Sequence, residues 1–298
     1  MNLKSIFNLS KTAVMSWIDD FAPSMGAALA YYTVFSMAPL LIIVIAVAGL
    51  VFGQQAAQEA IIAQAQGLLG TEGTDAIKAM LENAQQPKEG IFAGTISVVM
   101  LFIGATTVFA ELESDLNRIW KVEAPKQSGL WSFILTRLLS IGMVLALGFL
   151  LLISLVVSAG LAAWGRYWGG MFGGMEKLLQ AANFILSFVV ITVLFAIIYK
   201  FLPQAKVQWR DVWVGAGVTS LLFGIGKLLI GLYIGKAAVS SAYGAAGALV
   251  VLLVWVYYSS QIFLLGAEFT KAYANSHGSL KNEKPAPQPA HGAALIRG

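Results

Sequence analysis

The chain contains no cysteine and only two histidines, His277 and His291. Without thiols there is no disulfide, no thiolate metal site and no cysteine nucleophile. Two histidines in a polar terminal stretch are poor material for a zinc or di-iron centre. Charge is equally scarce: 11% of the 298 residues are Asp, Glu, Lys or Arg, against about 25% in an ordinary soluble domain. Walker A, dinucleotide-fingerprint and H-E-x-x-H sequences are all missing, so ATP hydrolysis, nicotinamide chemistry and zinc proteolysis have no motif to rest on. No cofactor, no metal and no enzymatic activity are expected.

Apolar material is in excess. Hydrophobic residues make up 58% of the chain and the mean hydropathy is +0.76. A water-soluble fold of this size needs more polar surface, so lipid must solvate much of the exterior. Residues 1–20 carry Lys4, Lys11, Asp19 and Asp20 without a continuous apolar core, which does not fit a cleavable signal peptide.

Charges are costly at the bilayer centre, so uncharged gaps locate the spans. They fall at about 27–53, 91–112, 138–163, 180–200, 212–235 and 244–268. Each supplies the roughly 20 residues a helix needs to cross about 30 Å of hydrocarbon. The segments are apolar on all sides rather than alternating, which favours helix over barrel. The predicted fold is all-α: a polytopic membrane helix bundle with six transmembrane helices plus interfacial and extracytoplasmic short helices. Residues 1–275 form the membrane domain, and 276–298, with Pro285, Pro287 and Pro289, a disordered cytoplasmic tail.

Lys and Arg set the orientation. With six spans, thirteen lie on the side of the termini (Lys4, Lys11, Arg118, Lys121, Lys126, Arg137, Lys200, Lys206, Arg210, Lys271, Lys281, Lys284, Arg297). Five lie opposite (Lys78, Lys88, Arg166, Lys177, Lys236). This places both termini in the cytoplasm. Residues 3–21 carry Ile6, Phe7, Val14, Trp17, Ile18 and Phe21 at helical spacing, a helix lying on the membrane surface, after which Pro23 can open the first span. The outer loop 54–90 reads as two short amphipathic helices broken near Gly70 and Gly73, either a lid or a hairpin packed on the bundle.

Polar residues inside the spans are the candidate sites. The first span holds Tyr31, Tyr32, Ser36 and Pro39. Pro39 removes a helical hydrogen bond, so the segment is either a kinked helix lining a polar path or a tyrosine belt with a structural kink. Glu111, Glu113 and Asp115 end the second span, followed by Asn117 and Arg118. Glu111 and Asp115 share a helix face, and Arg118 is spaced to pair with Asp115, a cytoplasmic ion network or a proton or cation relay. Lys227 is the one charge within the fifth span. It either snorkels to the headgroups or is buried among Gly224, Gly226, Gly231 and Gly235, where small residues let helices approach and oligomers form. On the sixth span Tyr257, Gln261 and Glu268 make a polar stripe, part of a path or a set of interhelical hydrogen bonds.

At these residues the chain resembles the YihY/BrkB family of bacterial inner-membrane proteins, whose older members carry the label ribonuclease BN. The matching stretches are Ala28–Leu41 (ALAYYTVFSMAPLL), Glu111–Val122 (ELESDLNRIWKV), Phe201–Gly235 and Tyr243–Phe269 (YGAAGALVVLLVWVYYSSQIFLLGAEF). The resemblance spans residues 10–275 and implies about six spans, a bacterial cytoplasmic membrane and a role in the envelope. It brings no catalytic residues with it. RNA cleavage needs a metal cluster or an acid–base pair, and the short cytoplasmic loops contain no histidine. The expected function is a transporter or flippase for a lipid or small solute, not ATP-driven by itself. The alternatives are a non-transporting envelope-assembly scaffold and, last, a membrane-associated ribonuclease. Membrane lipids are the expected partners, nucleic acid is not.

Overall fold

A computed structural model describes residues 3–84, 91–122, 175–236 and 246–281, with isolated positions 142, 148 and 150. The described residues are helical and contain no strand. Seven helices occur among them: α1 (Leu3–Asp19), α2 (Ala22–Phe52), α3 (Gln54–Ala84), α4 (Ile91–Ile119), α5 (Met175–Phe201), α6 (Trp209–Lys236) and α7 (Gly247–Ser276). Among the described residues, four segments are long and apolar enough to cross a membrane: Ala22–Leu50, Ala181–Phe201, Trp209–Leu232 and Gly247–Ser276. They overlap the first, fourth, fifth and sixth predicted spans. The second predicted span lies within α4, and the third, 138–163, falls outside the described residues apart from those isolated positions.

Local sequence explains the boundaries. Pro23 sits in the first turn of α2, where its missing N–H costs nothing. Gly53, at φ 86°, lets the chain turn from α2 directly into α3. Gly70, at φ 72°, divides α3 into two helical segments, a backbone geometry that a Cβ disfavours. Pro39 stays inside a continuous α2, and its ring rests on Gly104 of α4, where an added Cβ would lie 2.9 Å from Pro39 Cγ.

The core forms around α7, which contacts α1, α2, α3, α4 and α6. Met25 and Leu29 of α2, Leu116 and Ile119 of α4, Tyr199 of α5 and Leu264 of α7 share one buried cluster. A second cluster joins α2, α3 and α7 through Val34, Ile77, Leu81 and Leu252, so α3 is packed into the bundle. Phe184 and Ile185 of α5, and Leu228, Leu229 and Leu232 of α6, point outward, as apolar residues solvated by lipid do.

With lipid outside, burial alone gives helices little reason to associate, and packing of small residues takes over. The α6–α7 seam shows how. Gly215 and Thr219 on α6 face Thr270 and Gly266 on antiparallel α7, each threonine lying over the other helix's glycine. The threonine hydroxyls donate back to their own helices, Thr219 to Gly215 O at 2.8 Å and Thr270 to Gly266 O at 2.7 Å. Tyr199 of α5 closes the seam by donating to Phe263 O at 2.7 Å, with its hydroxyl 3.1 Å from Thr219 Oγ1.

Candidate functional site

One end of the bundle gathers the start of α2, the ends of α4, α5 and α7, and the start of α6, joined by long-range polar contacts. Asn117 Oδ1 accepts from the Gln204 N–H at 2.8 Å, and Glu113 accepts from the Gln204 side chain at 2.8 Å. Asp211, buried in the first turn of α6, accepts from the Ser279 backbone N–H at 3.1 Å and from its hydroxyl. Ser5 of α1 hydrogen-bonds His277 at 2.9 Å. Lys121, just past α4, forms a close ion pair with Asp20 in the α1–α2 turn.

That ion pair borders the least satisfied part of the interior. Glu268 of α7 is 1% exposed, and no described donor reaches either carboxylate oxygen. Asp20 is 8% exposed; Lys121 takes Oδ1, while Oδ2 is buried without a donor among the described residues. The charged groups facing Glu268 are Lys271, Asp20 and Lys121. Two turns along α7 toward the bundle centre, the Gln261 amide lies over Gly26 of α2 with no described partner for either polar atom. A buried carboxylate or amide without a partner carries a large desolvation cost. The backbone here is unusual too. Phe21 (φ 58°) and Lys121 (φ 54°) are the non-glycine residues with positive φ among those described, and both flank the cluster. Such conformations cost of order 1–3 kcal/mol and persist where surrounding structure enforces them.

The residues predicted from sequence are dispersed. Gln261 and Glu268 turn inward, whereas Tyr257 is exposed. Tyr31 is exposed, edge-on to Tyr32 with ring centroids at 5.5 Å, and Ser36 is buried. Lys227 is exposed beside the outward Leu228 and Leu229, and Gly224 and Gly231 face no described atom within 4 Å. At the end of α4, Asp115 and Asn117 are buried while Arg118 is exposed. The Asp115–Arg118 ion pair is therefore not made; among the described residues the ion pairs are Lys78–Asp75 and Lys121–Asp20. No described group of three His, Cys, Asp or Glu residues can hold a metal ion. Asp20 and Lys121 are the site residues that sequence reading passed over. Asp20 carried one signal: an acid directly preceding Phe21-Ala22-Pro23, where a span begins.

Asp115 lies beyond the predicted second span. Burial first, then the Glu111 charge, push its carboxyl up from 3.8 to about 7, and Arg118 opposes them. An acid that holds its proton more tightly when folded stabilises the fold at low pH. That contribution is lost as pH rises from about 4 through about 7 and stays lost above it. The difference in unfolding free energy between the chain and Asp115→Asn should follow this curve, amounting to at most about 4 kcal/mol. Unfolding in detergent at a series of pH values measures it; a flat difference would refute it.

A family model described as Virulence factor BrkB matches residues 14–291. The chain is 27% identical over 256 residues to a UPF0761 membrane protein of Pseudomonas paraeruginosa, covering 84% of this chain and 59% of that one. With a UPF0761 membrane protein of Alcanivorax borkumensis it shares 28% over 275 residues, 91% of this chain and 61% of the other. One from Tolumonas auensis is 29% identical over 197 residues, 64% and 62% of the two chains. The chain thus spans about three fifths of the length of these curated relatives. No solved structure matches it.

Proposed function

We propose that this chain, which belongs to the Virulence factor BrkB family, is a transporter or flippase for a lipid or small solute in a bacterial cytoplasmic membrane. On this reading it has six spans, both termini are cytoplasmic, and it has no catalytic activity. The supporting observation is the pair of polar side chains on α7, Gln261 and Glu268, that turn into the bundle with no described hydrogen-bond partner. Ionisable groups inside membrane domains mark ion or substrate pathways by default, because a bundle that only had to be stable would be better off without them. The end holding Asp20, Lys121 and Lys271 is the cytoplasmic one, since it carries the Lys and Arg excess.

Purified protein in phosphatidylethanolamine–phosphatidylglycerol liposomes tests this. Fluorescent phospholipid should become accessible from the far leaflet, or entrapped organic solutes should leave, faster than in protein-free vesicles. Liposomes that stay sealed to both would overturn it. One observation favours a second reading, a rigid envelope-assembly scaffold: the Tyr199–Thr219–Phe263 network with its glycine–threonine seam leaves α5, α6 and α7 little room to move. A scaffold gives sealed liposomes and a defined protein partner on crosslinking.

A further inference from the structure

We infer that Glu268 and Asp20 form a proton-binding carboxyl pair, with Lys121 and Lys271 as its fixed counter-charges. Its role as the coupling site rests on the transport reading; its existence as a proton site does not.

The argument starts from donors. Ionised carboxylates only accept hydrogen bonds. Glu268 faces Asp20, yet no described donor reaches Glu268 or the Asp20 Oδ2. A proton held on one carboxyl supplies the missing donor, and the two groups can then hydrogen-bond between the α1–α2 turn and α7. Two acids sharing a site do not ionise independently. Lys121 is committed to the Asp20 Oδ1, and Lys271, one turn beyond Glu268 on α7, adds a second cation. With both acids ionised the quartet is neutral; with one proton bound it carries a single positive charge. A proton is the only cation that the neighbouring ammonium groups do not crowd out, because it sits inside a carboxyl–carboxyl hydrogen bond and needs no coordination shell. A metal ion would meet two ammonium groups and no third acid.

Access is built in. The Lys121 side chain is 59% exposed while the Asp20 side chain beneath it is 9% exposed, so the pair lies just under the surface. Exchange transfers one proton between a carboxyl oxygen and water there and breaks no other covalent bond. Phe21 and Lys121, at the two rims of the cluster, both adopt the left-handed backbone conformation. Loss of the proton removes the hydrogen bond between α7 and the α1–α2 turn, which is how occupancy would reach the spans.

Infrared difference spectra between acid and alkaline pH, on the chain reconstituted in the same liposomes, provide the test. The chain should show the C=O stretch of a protonated carboxylic acid that disappears with rising pH and shifts in D2O. Glu268→Gln should remove one component of that band, Asp20→Asn should move the midpoint of that component, and Asp115→Asn, which removes a separate component, should leave it in place. A Glu268→Gln spectrum identical to that of the parent chain overturns the inference, as does an Asp20→Asn midpoint that does not move. If Glu268→Gln fails to give a monodisperse protein, Asp20→Asn alone decides. Sealed liposomes with the band intact sink the transport reading and support the proton site. Cargo movement without the band does the reverse.

Discussion

Gly266→Val is expected to leave no folded bundle. A Cβ at residue 266 would overlap Thr219 Oγ1 and lie 2.6 Å from the Tyr199 hydroxyl. Neither neighbour can swing away cheaply, because Tyr199 is tied to Phe263 O and Thr219 to its own helix. The helices must separate instead. Overpacking costs roughly 1–3 kcal/mol, and each buried hydrogen bond it breaks adds roughly 0.5–1.5 kcal/mol. Separation at Gly266 also opens the reciprocal contact of Gly215 with Thr270, so the total approaches the marginal stability of about 5–15 kcal/mol typical of a folded protein. Tyr199→Phe, which removes the hydroxyl and leaves the packing, should cost only about 1 kcal/mol. Gly217→Ala and Gly231→Ala, whose added Cβ meets no described atom, should stay within about 0.5 kcal/mol of the parent. Size-exclusion profiles and thermal unfolding in detergent read all four. Gly266→Val behaving like Gly231→Ala would refute the interlock.

The glycine result shows where the sequence was legible and where it was not. The all-helical class was legible because a bilayer penalises charge, so helix-length uncharged runs stand out without any knowledge of contacts. Gly70 was legible as a break because a positive φ is a local demand. Seams are not local. The motif spacing drew attention to Gly231, whose added Cβ meets no described atom, whereas on α6 the glycines that meet α7 are Gly215 and Gly226; the Gly215–Gly266 interlock joins positions 51 apart and is identifiable only once α6 and α7 are antiparallel at a fixed register. The same holds at the acidic cluster. Helical spacing offered Arg118 to Asp115, three residues away, but spacing does not say which side faces the core, and the core took Asp115 while leaving Arg118 outside. Lys121, counted only as one more loop charge, crosses 101 positions to reach Asp20. Tyr199 stood in an apolar run with nothing to distinguish it until Thr219 and the Phe263 carbonyl came into reach.

The two carboxylates of that cluster should respond to neutralisation with opposite sign. Glu268→Gln is expected to keep or raise stability, by up to roughly 1–4 kcal/mol, the range seen when buried ionic groups are replaced without leaving a charge unpaired. The amide has nearly the same shape, its NH2 supplies the donor that a bound proton supplies in the parent, and it leaves Lys121 with Asp20. Asp20→Asn removes the one carboxylate that makes an ion pair in the cluster. Because the Lys121 side chain is more than half exposed, the loss should be limited to about 1 kcal/mol or less. If instead Glu268 anchored the bundle through Lys271, its neutralisation would strand a half-buried ammonium and cost roughly 3–5 kcal/mol. Transport separates the readings further. A group retained despite its cost should be needed for the work, so Glu268→Gln liposomes should move cargo at least about tenfold more slowly while the protein melts no earlier than its parent. Stability lost together with transport would make Glu268 a structural residue, whereas stability kept with transport lost places the function of this membrane domain on the buried face of α7.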